Sequence, residues 1–356
     1  MSEWYQGDCA VPCEHSRERS RVRQLQLTKP PGSLGQLETI ATCFSAWQQR
    51  EIPALDTIGI RVFAADHGIC DQGISAFPAE VTVQMIANFV AGGAAISVLS
   101  QDLGADFQVV NMGTRQPVPA APRLTDISLM PGTRDFSREP AMPEAILEQA
   151  LAAGREQIDG HDWQLFIGGE MGIGNTTAAA AILAALLQQP TERIVGRGTG
   201  IDTATWEHKC DVVAKSLLLH QLTGADPLQV LLCVGGLEIA ALCGAFIRCA
   251  QSGVPVLVDG FIATAAAVAA TRINPGVSGW LLAGHRSAEA GHQLALQSLS
   301  LEPILDLGMR LGEGSGAAVA VAVLRSALSL HRNMATFAEA EVSAAGAPAA
   351  GPPATA

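Results

Sequence analysis

The chain has 356 residues, of which 48% are hydrophobic, 16% charged and 4% aromatic, so it contains enough apolar sequence for a large core. With 22 basic and 34 acidic side chains, its net charge of −12 argues against nucleic acid as a partner, because a phosphate backbone requires concentrated Lys and Arg. A small anion is not excluded, since backbone N–H groups can bind one locally.

The N-terminal segment contains a close group of potential metal ligands, Cys9, Cys13 and His15. Zinc would suit these residue types, but no second ligand pair with matching spacing follows, so we predict no metal. Most other cysteines lie in apolar sequence, which is typical of reduced core cysteines rather than of a disulfide framework. Residues 1–23 are polar and charged, unlike a signal peptide, which makes a cytoplasmic location the default.

Two helical patterns follow near the N-terminus. The basic stretch 16–24 predicts a solvated helix face, with an anion site as the alternative. Ser33 precedes Gln36 by three residues, as in a capping box, and the apolar residues after it keep helical spacing to about Arg50. The second pattern predicts an amphipathic helix.

Beyond this point, short apolar runs alternate with helical stretches. Each run ends in glycine and polar residues, and the runs cover residues 58–65, 107–112, 165–167, 254–258 and 280–283. Helical stretches include residues 177–187, 263–270 and 288–299. This alternation predicts an α/β fold with a mostly parallel sheet and helices on both faces. The polar strand ends should line one crevice, because ligands of such sheets bind at the carboxyl ends of the strands.

The longest apolar run, residues 230–247, contains Gly235, Gly236 and Glu238. We interpret it as a buried strand or helix rather than a membrane span, and we expect no membrane span in the chain.

The two ends of the chain are predicted to form a small helical domain, because helical sequence returns after about residue 302. We predict four parts: residues 1–50 as the N-terminal part of that domain, 51–301 as a large α/β substrate-binding domain, 302–338 as the C-terminal part of the helical domain with the loop of a candidate catalytic Glu, and 339–356 as a disordered tail.

The most informative segment is GGEMGIGNTTAAA, residues 168–180. Asn175 stands where a phosphate-binding P-loop requires Lys, and the third glycine of a dinucleotide fingerprint is absent. What remains is a glycine-rich turn followed by an Ala-rich helix. Free N–H groups and two hydroxyls at Gly174–Thr177 would form an anion site, with a tight packing turn as the alternative.

Two further glycine-rich turns occupy residues 196–202 and 284–291. Arg197 and Lys209 could add positive charge to the first turn, although each alone reads more readily as a surface cation. In the second turn, Ser287 could cap the following helix, with or without a phosphate.

Carboxylates are the other candidates for chemistry. Glu170 lies inside the first glycine-rich loop, and Asp259 ends a predicted buried strand. Glu313 lies between glycines in LGEGSG, residues 311–316, before an apolar helix. Partial burial there would raise its pKa and suit it to proton abstraction, and the alternative is a Glu that only complements a helix dipole.

The segment after the first predicted strand begins with Asp66 and His67. They read equally as a metal or acid/base pair and as turn-capping residues. Further on, apolar residues including Phe77 and Met85 could wall a pocket, although residues at helical spacing are more often core.

Taken together, these segments resemble the nicotinate-nucleotide:dimethylbenzimidazole phosphoribosyltransferase family, which makes the lower-ligand nucleotide of cobalamin. GGEMGIGNTT (168–177) and LGMRLGEGSG (307–316) are the specific matches. Supporting runs include KPPGSLGQLE (29–38), GISAFPAEVTVQM (73–85), GRGTGID (196–202) and GHRSAEAGH (284–292). They extend over most of residues 29–335 in the expected order.

The resemblance implies a Rossmann-like parallel-sheet domain, a small helical domain built from both chain ends, and a homodimer. It implies no metal and no organic cofactor. The implied reaction moves the phosphoribosyl group of nicotinate mononucleotide to 5,6-dimethylbenzimidazole with inversion at C1′, giving α-ribazole 5′-phosphate and nicotinate.

The same resemblance assigns roles to individual residues. Glu313 would be the base that takes the benzimidazole N–H proton, and Glu170 would lie beside the ribose and nicotinate. Residues implied around the phosphate and ribose are Gly174, Asn175, Thr176, Thr177, Lys209, Asp259 and Ser287. Residues implied at the benzimidazole pocket are Ser75, Phe77, Gln84, Met85 and Leu311.

Two rival interpretations stay open. A non-catalytic binding protein on the same fold would bind either ligand without turnover. A kinase-like transferase is weakened by Asn175. The true acceptor, whether benzimidazole, adenine or a phenolic compound, depends on pocket contacts that the sequence does not place.

Overall fold

The computed structural model describes residues 3–198 and 200–343. Their strands form a seven-stranded parallel sheet. In chain order the strands are β1 (Ile58–Ala65), β2 (Asp106–Gly113), β3 (Leu124–Asp126), β4 (Leu165–Met171), β5 (Val256–Val258), β6 (Leu281–His285) and β7 (Pro303–Leu305).

Helices connect the strands and extend beyond them at both ends of the chain. They are α1 (Glu14–Gln26), α2 (Gln36–Trp47), α3 (Val81–Ala91), α4 (Ala95–Leu103), α5 (Glu144–Glu156), α6 (Asn175–Leu187), α7 (Thr191–Ile194), α8 (Thr203–Leu219), α9 (Pro227–Val234), α10 (Leu237–Ser252), α11 (Phe261–Ile273), α12 (His292–Ser298) and α13 (Ser315–Asn333).

The strand order is β3-β2-β1-β4-β5-β6-β7, so the order reverses between β1 and β4. Open parallel sheets bind ligands outside the carboxyl ends of their strands at such a reversal. The fold therefore directs attention to the residues after Ala65 and at the end of β4.

Chain segments cover both faces of the sheet. A Cβ on Gly168 of β4 would meet Phe246 of α10, whereas a Cβ on the next residue, Gly169, would meet the backbone of Glu313. Because neighbouring residues of a strand point to opposite faces, α10 lies on one face and the Glu313 loop on the other. The predicted α/β class with a parallel sheet covered on both faces is confirmed.

The predicted strands and helices are largely confirmed, with three corrections. The sequence patterns missed β3 and β7, which have three residues each. The predicted helix 288–299 is shorter, since α12 begins at His292. The capping box is wrong, because α2 begins after Gly35 and Glu38 binds Lys29 and the Leu34 N–H instead.

The described chain divides into two compact units. The larger unit comprises the described part of Met1–Val11 with Asp56–Val321, and it includes the Glu313 loop. The smaller unit is helical and draws on both chain ends, with Pro12–Leu55 and the described part of Ala322–Ala356. The predicted domain boundaries stay a prediction. Of the predicted tail, residues 344–356 lie outside the described residues, and 339–341 form turns.

Two long apolar segments bear on the prediction that the chain has no membrane span. The run 230–247 is confirmed as buried helix, forming α9 and most of α10. Val81–Leu103 has the length and mean hydropathy (1.6) to cross a membrane. It is divided at Gly92 into α3, which contacts β1 and β2, and α4, which contacts β2.

Helices α5 and α10 cross in close contact at two glycines. A Cβ on Gly154 would overlap the carbonyl oxygen of Ala241, and a Cβ on Gly244 would overlap that of Leu151. Small residues at these positions let the two backbones approach.

We expect Gly244→Ala to destabilise the protein by about 2 kcal/mol, because an overpacking cost of about 3 kcal/mol would outweigh the gain of about 1 kcal/mol in helix propensity. Urea unfolding of the two proteins measures the difference. A more stable variant would show that the close contact of the two helices does not require glycine at residue 244.

Candidate active site

Glu170 lies at the end of β4, next to the reversal in strand order. Its side chain is 5% exposed, and the Asn175 amide donates a hydrogen bond to its carboxylate. Burial, and then the negative charges of Asp259 and Glu238, raise the pKa of Glu170 well above its usual range. This shift favours the neutral carboxyl of Glu170 over its carboxylate.

A glycine-rich turn connects Glu170 to α6. Gly174 has φ +99°, a left-handed conformation that favours glycine. The N–H groups of Asn175 and Thr177 donate to the carbonyls of Gly172 and Gly174. The prediction that N–H groups are free throughout this turn is thus wrong for these two. Side chains must therefore supply more of the hydrogen bonds to a bound anion than the sequence predicted.

Lys209 provides the positive charge beside this turn. Although it reads from sequence as a surface cation, the side chain is 1% exposed and its Nζ donates to Thr176 Oγ1 at 2.9 Å. Burial lowers the pKa of Lys209 to about 8. A small recess next to it is lined by Ile74, Ser75, Gly172, Ile173, Gly174, Thr176, Arg197, Gly198 and Lys209. The recess has the composition of an anion site.

Glu313 lies in a loop with an unusual backbone. Its φ is +67°, in the left-handed region, and it stands between two glycines that also have positive φ. Such conformations cost energy in residues with a Cβ and are concentrated at functional sites. The Glu313 side chain is 6% exposed, and its Oε2 has no hydrogen-bond partner within the described chain. Burial and the charge of Asp259 raise the pKa of Glu313 to about 7.

Asp259 holds this loop in place. Its carboxylate accepts hydrogen bonds from the N–H groups of Gly314 (3.1 Å) and Ala317 (2.8 Å) at the start of α13. His285 Nε2 lies 3.5 Å from the same carboxylate. Asp259 is 2% exposed and its oxygens are engaged with the backbone, so it positions the Glu313 loop.

A cavity of about 240 Å³ lies at this edge of the sheet. It is lined by Phe77, Glu170, Thr176, Gly198, Gly260, Phe261, Ile262, Ser287, Glu289, Arg310, Leu311 and Gly312. Five residues predicted from sequence thus meet here: Phe77, Glu170, Thr176, Ser287 and Leu311. Glu313 directly follows the lining residues Leu311 and Gly312 but is not on the wall itself.

Some predicted residues lie elsewhere. Ser75 lines the recess beside Lys209 rather than the cavity. Gln84 is exposed, and neither it nor Met85 lines the cavity or the recess. Thr177 is fully buried in α6 and its hydroxyl has no partner among the described residues.

Sequence reasoning missed Glu289 and Arg310. Both line the cavity and also a neighbouring hollow of about 560 Å³ that contains Arg197 and Trp206. Arg310 donates to the carbonyl of Gly198, joining two loops at the rim. Both residues lie inside motifs quoted from the sequence, GHRSAEAGH and LGMRLGEGSG, and this position could have identified them as site residues.

Ser287 is held by His292 and does not cap α12. Its N–H donates to His292 Nδ1 at 2.8 Å, and His292 Nε2 lies 2.9 Å from Thr264 Oγ1. The residue before α12 is Gly291, so the predicted cap is wrong. Burial, which disfavours the charged ring, and then the nearby His285 lower the pKa of His292 to about 4.

We expect this histidine to make the protein sensitive to acid. The unfolded chain takes up a proton at about pH 6.5 and the folded chain only near 4, so stability falls as pH drops between these values. His292→Asn keeps an acceptor for Ser287 but cannot titrate. Between about pH 7.5 and 5, wild type should lose about 2 kcal/mol more than the variant in urea unfolding. Equal losses would contradict the assignment.

Asp66 and His67 do not form a metal site. Asp66 accepts the backbone N–H of Arg115, and His67 pairs with Glu238. Within residues 3–198 and 200–343, no group of three or more His, Cys, Asp or Glu side chains is arranged to hold a metal ion. Cys9, from the N-terminal cluster, donates to Asn274.

Comparisons with known proteins agree with this architecture. A family model described as a phosphoribosyltransferase matches residues 9–342. A curated relative from Pseudomonas putida (strain W619), named nicotinate-nucleotide--dimethylbenzimidazole phosphoribosyltransferase, is 52% identical and covers 95% of this chain and 97% of its own. The protein of that name from Xanthomonas oryzae pv. oryzae (strain PXO99A) is 52% identical and covers 96% and 99%. The crystal structure of CobT from Thermus thermophilus has a TM-score of 0.88 at 43% identity, covering 92% of this chain and 99% of that one.

Proposed function

The chain belongs to the nicotinate-nucleotide:dimethylbenzimidazole phosphoribosyltransferase family, and we propose that it transfers the phosphoribosyl group of nicotinate mononucleotide to 5,6-dimethylbenzimidazole. The resemblance inferred from the motifs is confirmed, and the chain is an enzyme of this class. The products are nicotinate and α-ribazole 5′-phosphate, which serves cobalamin nucleotide assembly.

One observation supports the placement of the substrates: a cationic recess opens beside a half-apolar cavity that contains a carboxyl group. The 5′-phosphate binds in the recess, to Lys209 and the hydroxyl of Thr176. The aromatic base binds in the cavity against Phe77 and Leu311, which are 50% and 57% exposed in the absence of ligand. Ser287 lies on the cavity wall close to the ribose.

The chemistry requires few catalytic groups. The nicotinate nitrogen is quaternary in the mononucleotide, so nicotinate leaves as a neutral pyridine and needs no general acid. The incoming ring nitrogen becomes cationic as it bonds to C1′, and removal of its N–H proton relieves that charge. Attack opposite the leaving group inverts C1′, which gives the α-nucleotide. Holding the two substrates in line accounts for much of the rate.

The two buried carboxyls take different roles. Glu313, with a pKa of about 7, is half ionised at neutral pH and is suited to accept the proton. Its Oε2 has no hydrogen-bond partner within the described chain, while the carboxyl accepts a hydrogen bond from the backbone N–H of Ile96. Glu170 ionises less readily and lies on the wall, where it interacts with the ribose and with the positive charge that develops at C1′.

The proposal is tested by mixing purified protein with nicotinate mononucleotide and following nicotinate by chromatography. Nicotinate release is expected when 5,6-dimethylbenzimidazole is added and not without it. Proton NMR of the product should show the α anomer. Tight calorimetric binding of both ligands without turnover would instead favour the non-catalytic binding protein.

Three finer points belong to the same proposal. We propose that the enzyme is a homodimer in the cytoplasm, and sedimentation velocity tests the dimer. We propose 5,6-dimethylbenzimidazole as the acceptor. Competition among this base, adenine and a phenol in a single reaction identifies the preferred one by kcat/KM.

A further inference from the structure

His67 and Glu238 form a hydrogen-bonded pair buried beneath the loop 172–174. His67 Nε2 lies 2.8 Å from Glu238 Oε1, and both side chains are 0% exposed. His67 Nδ1 and Glu238 Oε2 have no partner among the described residues. Unpaired buried polar atoms lower the stability of the folded chain, so stability does not explain why this pair is buried.

The imidazole supports the loop from below. A Cβ on Gly172 would lie 3.1 Å from His67 Nε2, and a Cβ on Gly174 would lie 3.2 Å from His67 Cβ. On the other side, a Cβ on Gly236 at the start of α10 would lie 2.5 Å from His67 Cε1. The ring therefore fills the space between the loop and α10, and Glu238 sets its orientation.

The loop also has supports on its flanks. The Ile173 N–H donates to Thr82 Oγ1 at 3.2 Å, and the Cys70 thiol donates to the Ile173 carbonyl at 2.8 Å. At its two ends the loop carries Glu170 and Asn175, whose side chains bind each other. The position of the loop therefore determines how these two side chains meet.

We propose that the His67–Glu238 pair is a positioning element for phosphoribosyl transfer, holding loop 172–174 where Asn175 meets Glu170 in the cavity wall. The inference rests on the proposed function. Neither residue lines the cavity, so the pair acts through the loop and not on the substrate.

The pair also affects the charge of Glu170. The carboxyls facing Glu170 are Asp259 at the end of β5, Glu238 in the first turn of α10 and Glu313 in its loop. The charge of Glu238 raises the pKa of Glu170, in addition to burial and Asp259. Removal of that charge should make Glu170 easier to ionise.

Three histidine variants test the positioning role. His67→Leu removes the hydrogen bond to Glu238, and we expect kcat to fall about 10–100-fold while KM for 5,6-dimethylbenzimidazole changes less than about 3-fold. His67→Gln retains an N–H that reaches Glu238 and should restore most of kcat. The matched control is His161→Leu, at the amino end of β4, where His161 stacks on Trp163 and should leave both constants unchanged. An unchanged kcat in His67→Leu would overturn the inference.

Glu238→Gln provides a second measurement if His67→Leu fails to fold. The limb of the pH–rate profile that disappears in Glu170→Gln should move to lower pH by about half a unit or more in Glu238→Gln. An unmoved limb would show that the pair has only a structural role. Inactive wild-type protein would refute the proposed function instead, so the two failures are distinguishable.

Discussion

Glu313→Gln is expected to lower kcat for nicotinate release by about 10²–10⁴-fold, the range for loss of a general base. The amide keeps the size of the side chain but cannot accept the ring proton. Binding of nicotinate mononucleotide should change little, because the phosphate recess does not include Glu313. Steady-state kinetics with 5,6-dimethylbenzimidazole separates the two constants.

The pH dependence gives an independent check of the same assignment. A base must be deprotonated to act, so the pH profile of kcat/KM for wild type should contain an ascending limb near pH 7 that follows the pKa of Glu313. The residual activity of Glu313→Gln should lack this limb. If the limb persists unchanged in the variant, another group is the base, and Glu170 would be examined next.

The loss of activity should not come from unfolding. The pKa of Glu313 is raised in the folded state, so the folded chain gives up this proton less readily than the unfolded chain does. This raised pKa stabilises the folded chain at low pH, and the stabilisation is lost as pH rises through about 7. At about pH 8, Glu313→Gln should therefore be at least as stable as wild type. A markedly lower melting temperature of the variant would mean that its loss of kcat results from a destabilised fold.

Much of the fold could be predicted because local pattern and tertiary structure agree. The residues of β1 are apolar except for Arg61 and all are buried, and glycine or polar residues mark the strand ends. The short strands β3 and β7 could not be found, because three residues of intermediate burial or exposure show no period. The start of α2 was misread because Glu38, not Ser33, satisfies the backbone there.

Site residues could be predicted where the backbone conformation of a loop places them. They were harder to predict where the packing of distant elements places them. The glycines beside Glu313 correctly indicated a special loop, which the structure shows as three successive positive φ values. By contrast, nothing in the sequence around Lys209 indicates burial, which results from the packing of α8 on α6. Helical spacing likewise could not tell whether α3 reaches the cavity, and because its residues do not line the cavity, Gln84 and Met85 stay predictions.

Lys209→Met is expected to raise KM for nicotinate mononucleotide by about 10–100-fold with a smaller effect on kcat. A charged hydrogen bond contributes about 1.5–3 kcal/mol, and each 1.4 kcal/mol is tenfold in affinity. With a pKa of about 8, Lys209 is mostly cationic at neutral pH, and affinity should weaken as pH rises above 8. Methionine fills similar space without charge, so Thr176 loses its donor but the recess keeps its shape.

A comparison of two ligands separates binding of the phosphate from binding of the rest of the substrate. Nicotinate riboside lacks the phosphate, so wild type and Lys209→Met should bind it equally in calorimetry, whereas they should differ for the mononucleotide. Lys215→Met is the matched control, since Lys215 lies on the same helix with its side chain 77% exposed and paired with Asp211. An equal loss of affinity for both ligands would place Lys209 at the ribose or in the fold, because a phosphate ligand must discriminate between them.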